Sequence, residues 1–311
     1  MPGNSVAARC EVMDEELTRI VPDGTEVSPV AAGLRLAEGP VWHDGAGALF
    51  FTEILESRIW RWRPGGDPEV LTDDSRRANG MALGPSGELI VAGWTARCIW
   101  SLHVDGSGTR HELVTEITGL RINTPNDVIV DPDGGIIWTD PAGGLLVPGM
   151  AGPDVQQYLP YSGVLRRGPD GAVRCLVDDM AAPNGLCLSP DASTLYVDDT
   201  KRGHVRAFTV AADGSVGDGR VFYRLTGSEP GAADGMVTDC DGNVYVSGPG
   251  GIHVVNATGG LLGRIFIETR VTNMTWGGDD RRWLYVTCFG GVQRLHLGVP
   301  GFTHAAAGAP A

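Results

Sequence analysis

Short apolar runs, each preceded by a polar residue, recur along the whole chain. Six segments share one order: a polar residue, a short apolar run, a turn rich in Pro, Asp and Gly, and a second apolar run. The segments are EGPVWHDGAGALFFTE from Glu38, NGMALGPSGELIVAG from Asn79, NDVIVDPDGGIIWTD from Asn126, NGLCLSPDASTLYVDD from Asn184, DGMVTDCDGNVYVSG from Asp234 and NMTWGGDDRRWLYVT from Asn273. Each segment predicts two antiparallel strands joined by a tight turn.

A third apolar run follows most of these segments, for example RIWRWRP, CIWSLHV and GIHVVNA. The segments start roughly 40–60 residues apart, and repeats near this length with several strands in each unit are typical of β-propeller blades. We therefore predict an all-β protein, a six-bladed β-propeller with four-stranded blades. A β-helix is a weaker alternative because its repeats are shorter.

The repeats also define the expected domain boundaries. Residues 1–24 are expected to form an N-terminal extension, residues 25–298 the propeller and residues 299–311 a flexible C-terminal tail. The segment TEVSPVAAG, before the first unit, is expected to supply the outer strand of the last blade and close the ring. Residues 141–163 form a Gly- and Pro-rich insertion, which is either a tolerated surface loop or a lid over one face.

The first residue of every unit is polar. In a propeller the innermost strands surround the axis, so the residues at their starts converge from all blades. This polar ring consists of Glu38, Asn79, Asn126, Asn184, Asp234 and Asn273. Asn and Asp also favour turns for local reasons, but Glu38 is a poor turn residue. Because buried carboxylates repel each other, the ring indicates a cation between them.

Carboxylate and amide oxygens are hard ligands that suit Ca²⁺, Mg²⁺ or Mn²⁺, and Zn²⁺ could also bind through oxygen alone. We therefore expect one divalent metal ion on the axis, with Ca²⁺ first among these candidates. Such an ion polarises a carbonyl oxygen and lowers the pKa of a bound water. This chemistry favours hydrolysis of a lactone or an activated ester.

Asp234 is the first candidate for the general base that activates water. Asp127 is the second candidate, although it directly follows Asn126, so its side chain would point the other way and could orient a ligand instead. Asp198 and Asp199 are weaker candidates. The sequence contains no GxSxG, HExxH, GxGxxG or P-loop motif that would indicate another chemistry.

Composition narrows the possible classes of function. The net charge of −14, without clusters of Lys and Arg, argues against nucleic-acid binding. The six cysteines are scattered and form no CxxC pair, which favours reduced thiols over a disulfide framework or a zinc site. The N-terminus lacks an apolar signal segment, and no run of about 18 apolar residues exists. We expect a cytoplasmic monomer or homodimer that acts on a small molecule and contacts no membrane.

Several motifs together resemble the SMP-30/gluconolactonase/LRE family. They are LAEGPVW at 36–42, PND at 125–127, PNGL at 183–186, ADGM at 233–236, and GNVYVSGPGGIHV followed by LLGRI. The resemblance covers about residues 25–298 and implies a six-bladed propeller with a divalent metal ion in its channel. It implies that Glu38, Asn184 and Asp234 bind the metal, that Asn126 binds the metal or the substrate, and that the reaction is hydrolysis of a sugar lactone such as gluconolactone.

Two stretches depart from the family pattern near the expected substrate face. Many relatives carry an acidic residue, His and Gly where this chain has VAGWTARC at 91–98, and DPPYG where it has DPAGG at 140–144. Trp94 would make this face more apolar, and Trp94 and Arg121 are expected to bind substrate together with Asn126. The expected substrate is therefore a sugar lactone or a less polar lactone.

Two other functions stay open at this point. The first is a biosynthetic cyclase or isomerase that uses the same metal as a Lewis acid. The second is a non-catalytic calcium-binding propeller, because fold alone does not decide function.

Overall fold

Six antiparallel sheets make up most of the computed structural model, which describes residues 4–105, 107–148, 150 and 152–304. The first strands of the sheets are β4 (Ala37–His43), β8 (Ala78–Leu83), β14 (Val128–Val130), β18 (Pro183–Leu188), β22 (Met236–Thr238) and β26 (Val271–Gly277). The second strands are β5 (Ala48–Glu53), β9 (Leu89–Gly93), β15 (Ile136–Asp140), β19 (Thr194–Asp199), β23 (Val244–Gly248) and β27 (Trp283–Cys288).

The outer half of each sheet completes a four-stranded blade. The third strands are β6 (Arg58–Trp62), β10 (Cys98–Leu102), β16 (Ser162–Arg167), β20 (His204–Thr209), β24 (Gly251–Val255) and β28 (Gly290–His296). The fourth strands are β7 (Glu69–Thr72), β11 (Arg110–Val114), β17 (Val173–Met180), β21 (Arg220–Arg224), β25 (Leu261–Phe266) and β3 (Glu26–Leu34). The remaining short elements are β1 (Val6–Ala7), β2 (Arg9–Val12), β12 (Glu116–Ile117), β13 (Leu120–Arg121), the helix α1 (Glu16–Ile20), and 3₁₀ turns at Asp44–Ala46, Ile54–Glu56 and Gly143–Leu146.

The first strands form a closed ring around the axis. Each contacts the first strand of the next blade, from β4 to β8, β14, β18, β22 and β26, and β26 contacts β4 again. The predicted six-bladed propeller with four-stranded blades is therefore confirmed.

The ring closes in the way that the sequence predicts. Strand β3 pairs antiparallel with β28, so residues from the start of the propeller complete its last blade. Two short N-terminal strands extend the outer edges, since β1 pairs with β3 and β2 pairs with β25. Residues 4–24 of the expected N-terminal extension thus lie on blades five and six, and residues 1–3 are outside the described chain.

Apolar clusters fill the spaces between neighbouring sheets. Between blades one and two, for example, Phe50 packs with Val91 and Trp100. Leu17 and Ile20 of α1 are buried in the cluster between blades five and six. Burial of about 25 cal/mol per Å² of apolar surface in these clusters holds each blade against the next.

The last described residues lie near the channel on the side where the first and second strands are joined. Within the expected C-terminal tail, Val299 is buried, Gly301 bridges to Asp239, and the backbone N–H of Phe302 donates to the carbonyl of Thr238. Residues 305–311 lie outside the described chain. Among the described residues, no helix has the length and apolar character needed to cross a membrane.

Candidate functional site

The polar ring lies where the first strands begin. Glu38, Asn79, Asn184 and Asn273 lie within β4, β8, β18 and β26, and Asn126 and Asp234 lie two residues before β14 and β22. Backbone hydrogen bonds join neighbouring blades here, because the Gly80 N–H donates to the Asn126 carbonyl at 2.7 Å and the Gly185 N–H donates to the Asp234 carbonyl at 2.9 Å.

Hydroxyl groups on the second strands fix these junctions. Thr52 Oγ1 donates to the backbone carbonyl of Asn79 at 3.0 Å, and Thr139 Oγ1 donates to that of Asn184 at 2.6 Å. Each bond links a second strand to the polar ring residue of the next blade. A signal for this brace is visible in the sequence, since Thr recurs near the end of the second apolar run of several units.

Glycine after the ring residue permits the close approach of blades. A Cβ on Gly185 would lie 2.0 Å from the Asp234 carbonyl oxygen, and a Cβ on Gly235 would lie 2.0 Å from Asn273 Oδ1. Real Cβ atoms do not come this close to other atoms, so only glycine fits at these positions. The Asn-Gly and Asp-Gly pairs of the repeats therefore serve blade packing rather than hairpin turns.

Buried carboxylates are concentrated at the ring. Burial raises the pKa of Asp234 to about 7 and that of Asp127 to about 6. Burial, followed by repulsion from Asp234 and Asp127, raises the pKa of Glu38 well above its ordinary value. Asp198 is fully buried beside them, and burial also raises its pKa. Mutual repulsion makes this end of the channel a place that favours a proton or a cation.

The hydroxyl group of Thr200 orients one amide of the polar ring, that of Asn184. Asn184 Nδ2 donates to Thr200 Oγ1 at 3.0 Å, and Thr200 Oγ1 donates to the Ala233 carbonyl at 2.8 Å. A side-chain hydrogen bond from Asn184 also lowers the pKa of Asp234. Because the amide nitrogen is engaged, Asn184 Oδ1 is the atom available to a ligand.

Asp127 lies inside the channel, on the side away from Asn126. Its Oδ1 accepts from the Val128 N–H at 2.9 Å, and its Oδ2 accepts from Asn273 Nδ2 at 3.3 Å. Asn126 is partly exposed, and its backbone N–H donates to the Thr139 carbonyl at 2.9 Å. Asp127 is thus held by an amide from blade six.

The donor set at the ring decides which cation could fit. Among the described residues, no group of three or more His, Cys, Asp or Glu side chains is placed to hold a metal ion. Glu38 and Asp234 supply two carboxylates, so Asn184 and Asn126 would have to complete a site with amide oxygens. Oxygen donors of this kind suit hard divalent cations.

Trp94 and Arg121 contact the insertion, which lies within blade three between its second and third strands. A Cβ on Gly144 would lie 1.7 Å from Trp94 Nε1, so the indole packs directly on this glycine. Arg121 Nη1 donates to Asp154 Oδ2 at 2.6 Å, and Arg121 Nη2 donates to the Ala96 carbonyl at 3.4 Å. Trp94 therefore lies between the ring end of blade two and the insertion, while Arg121 is engaged with the protein.

A fully buried arginine, which the sequence reasoning missed, holds the insertion. Arg97 donates to the carbonyls of Ile122 and Asn123 at the entry to blade three, and to those of Asp154 and Gln156 in the insertion. No local sequence pattern predicts such contacts between an arginine and distant carbonyls. The insertion is thus tied to blades two and three.

A cavity of about 240 Å³ lies at the opposite end of the channel. Asp127 and Asn273 line its inner end, and Phe302 and His304 line it near the chain end. Most of the other lining is apolar, including Met81, Leu186, Leu188, Met236 and Met274. We assign the chemistry to the ring end because Glu38, Asn184 and Asp234 do not line this cavity.

Arg270 is a second residue that the sequence reasoning missed. Its Nη2 lies 3.5 Å from Asp234 Oδ2, which makes it the cation that contacts the ring carboxylates in the described structure. It lies three residues before Asn273, in the connection between blades, and arginine occupies the same position before Glu38 and Asn79.

Comparisons with known proteins give one consistent result. The model of the SMP-30/gluconolactonase/LRE-like region matches residues 36–290. The gluconolactonase of Zymomonas mobilis subsp. mobilis is 30% identical over 270 residues, covering 80% of this chain and 74% of the relative. The pentonolactonase XacC of Haloferax volcanii is 27% identical over 275 residues, covering 84% of each chain. The solved structure of a gluconolactonase from Xanthomonas campestris has a TM-score of 0.86 and 30% identity, covering 96% of this chain and 98% of that one.

Proposed function

Because the chain belongs to the SMP-30/gluconolactonase/LRE-like family, we propose that it is a lactonase, an enzyme that hydrolyses the ester bond of a lactone. The observation that carries the proposal is the set of buried carboxylates and amides at one end of the channel. The similarity of the chain to a gluconolactonase and a pentonolactonase supports a small lactone as substrate.

The same residues support a divalent metal ion as cofactor, with Ca²⁺ first and Mg²⁺, Mn²⁺ or Zn²⁺ as alternatives. Glu38, Asn184 and Asp234 would hold it, and Asn126 would bind either the metal or the substrate. A cation between the buried carboxylates would offset their repulsion, which otherwise destabilises the folded protein. When bound, the ion would polarise the lactone carbonyl oxygen and lower the pKa of a water molecule.

Asp234 is the proposed general base. Its carboxylate would accept the proton of the water that attacks the lactone carbonyl carbon. Burial raises the pKa of Asp234 to about 7, and a bound cation would lower it again, which would keep the carboxylate ionised for this role at neutral pH. Asp127 accepts hydrogen bonds from Asn273 and Val128 and is the second candidate for this role.

Asn126 and Trp94 would position the substrate. Asn126 is partly exposed at the ring, so its amide can donate to a substrate oxygen. Trp94 packs on Gly144 and would give one side of the site an apolar wall, which fits a sugar lactone or a less polar lactone. The six unpaired cysteines fit a reducing compartment, and we propose that the protein is cytoplasmic.

Substitution of the proposed base tests this function. Asp234→Asn is expected to lower kcat for gluconolactone by about 100-fold or more, because the amide cannot accept the proton of water. Hydrolysis is followed with a pH indicator on a panel of lactones. Asp241→Asn is the control, since this exposed aspartate of the same blade pairs only with Arg19 in the described structure.

The outcomes separate the candidate functions. Full activity of the Asp234→Asn variant would remove Asp234 as the base. Tight metal binding by the wild type without turnover of any lactone would favour the biosynthetic or the calcium-binding alternative.

A further inference from the structure

Arg270 presents a loosely engaged guanidinium group beside the ring. Its Nη2 lies 3.5 Å from Asp234 Oδ2, and its side chain is 42% exposed whereas that of Asp234 is 11% exposed. This is the only salt bridge that Arg270 makes within the described residues. Most of its donors are therefore open to the solvent side of the ring.

Arginines that serve only the structure of this protein are bound differently. Arg166 is 4% exposed, and it donates to Asp131 at 2.8 Å and to Asp133 at 2.7 Å. Arg97 is fully buried and donates to four backbone carbonyls. Compared with these two residues, Arg270 makes one long contact and retains capacity for a ligand.

An aromatic ring lies next to this guanidinium. Arg270 Cζ lies 5.4 Å from the centroid of the Phe289 ring, and the Phe289 N–H donates to the Arg270 carbonyl at 3.0 Å. Phe289 is 41% exposed, in the turn between the second and third strands of blade six. A cation–π contact of this kind uses no N–H group, so the guanidinium keeps its donors for an oxyanion.

The charge around the polar ring indicates what the guanidinium of Arg270 could bind. Glu38, Asp127, Asp198 and Asp234 are buried at this end of the channel, so Arg270, in addition to a bound metal ion, would offset their repulsion toward an anionic group of the substrate. We propose that Arg270 binds an oxyanion group of the substrate, so that the preferred lactone carries a negative charge such as a carboxylate. This inference rests on the proposed lactonase function and makes Arg270 a substrate-binding residue that determines specificity.

Two lactones that differ in one group test the inference. The 1,4-lactones of D-gluconate and D-glucarate differ only in that the C6 hydroxymethyl group of the first is a carboxylate in the second. For the wild type, kcat/KM should be higher for the glucarate lactone. Arg270→Gln should lower that value by about 10- to 100-fold, the range for loss of a charged hydrogen bond, and should change the value for the gluconate lactone by less than about threefold.

Two variants serve as controls. Arg270→Lys keeps the positive charge and should recover part of the preference for the glucarate lactone. Arg35→Gln removes an arginine three residues before Glu38, the same position in blade one, where it pairs with Glu56. Arg35→Gln should leave both kcat/KM values unchanged, and thermal unfolding checks that every variant is folded.

Each outcome decides one of the two proposals. If Arg270→Gln slows both lactones equally, Arg270 acts through Asp234 and the inference is wrong. If the wild type hydrolyses neither lactone, the proposed lactonase function fails. Calorimetric binding of D-glucarate then still decides the role of Arg270: a loss of affinity of about tenfold in Arg270→Gln, absent in Arg35→Gln, supports it, and equal affinity overturns it.

Discussion

At the scale of single residues, burial of a carboxylate lowers the free energy of unfolding. Asp140 in blade three shows this away from the polar ring. Its Oδ2 accepts from the Asn123 N–H at 2.7 Å, and its Oδ1 is buried without a partner in the described structure. Burial raises the pKa of Asp140 to about 7, although the Asn123 N–H and Arg97 lower it in part. The folded protein therefore favours the protonated form of this group.

The raised pKa of Asp140 predicts how stability depends on pH. An unfolded aspartate titrates near pH 3.9, so between about pH 4 and about pH 7 the folded state binds more protons than the unfolded state. The contribution of Asp140 to the free energy of unfolding should therefore fall as pH rises through this window. Asp140→Asn carries no charge to bury, so the variant should gain stability relative to wild type between about pH 5 and about pH 8, by on the order of 2 kcal/mol.

Urea unfolding of wild type and of Asp140→Asn, at about pH 5 and at about pH 8, measures this difference. Asp241→Asn, at an exposed position, should show no change in relative stability. A wild-type minus Asp140→Asn difference that is the same at both pH values would contradict the assignment.

At the scale of elements, the insertion between the second and third strands of blade three depends on Arg97. Loss of its guanidinium would leave the buried carbonyls of residues 122 and 123, and the partly buried carbonyls of residues 154 and 156, without this donor. Arg97→Met should lower the free energy of unfolding by about 2–5 kcal/mol, because each unpaired buried carbonyl is costly. It should also make residues 141–161 more sensitive to limited proteolysis.

Arg63→Gln is the matched control, since Arg63 is about half exposed and pairs with Glu69 on the surface. This variant should lose less than about 1 kcal/mol, as is typical of surface ion pairs. Equal stability and equal proteolysis of the two variants would show that Arg97 does not hold the insertion.

At the scale of the whole molecule, the repeats made the fold predictable. The order of polar and apolar residues predicted the six blades, and the segment TEVSPVAAG predicted the closing strand β3. The matched family is the one that the motifs predicted. Each of these features repeats along the chain, so local pattern is sufficient to find it.

Other features of the site were not predictable because they join distant, non-repeating segments. Arginine also stands three residues before the ring residue in blades one and two, but those arginines pair with other glutamates. Position in the repeat therefore does not predict that Arg270 reaches Asp234 of the preceding blade. Arg97 reaches backbone carbonyls, which leave no signature in the sequence. The contact of Gly301 with Asp239 likewise involves a segment for which composition suggested only a tail.

The central claim is that the polar ring binds a divalent cation that lactone hydrolysis requires. The most direct test is the turnover of gluconolactone by metal-stripped protein, before and after titration with Ca²⁺, Mg²⁺, Mn²⁺ or Zn²⁺, in wild type and in Glu38→Gln. We predict that stripping lowers kcat by at least about tenfold, that one of these ions restores it, and that Glu38→Gln needs a higher concentration of that ion because it lacks one anionic ligand. Full turnover by the stripped protein, or restoration at the same ion concentration in both proteins, would contradict the account.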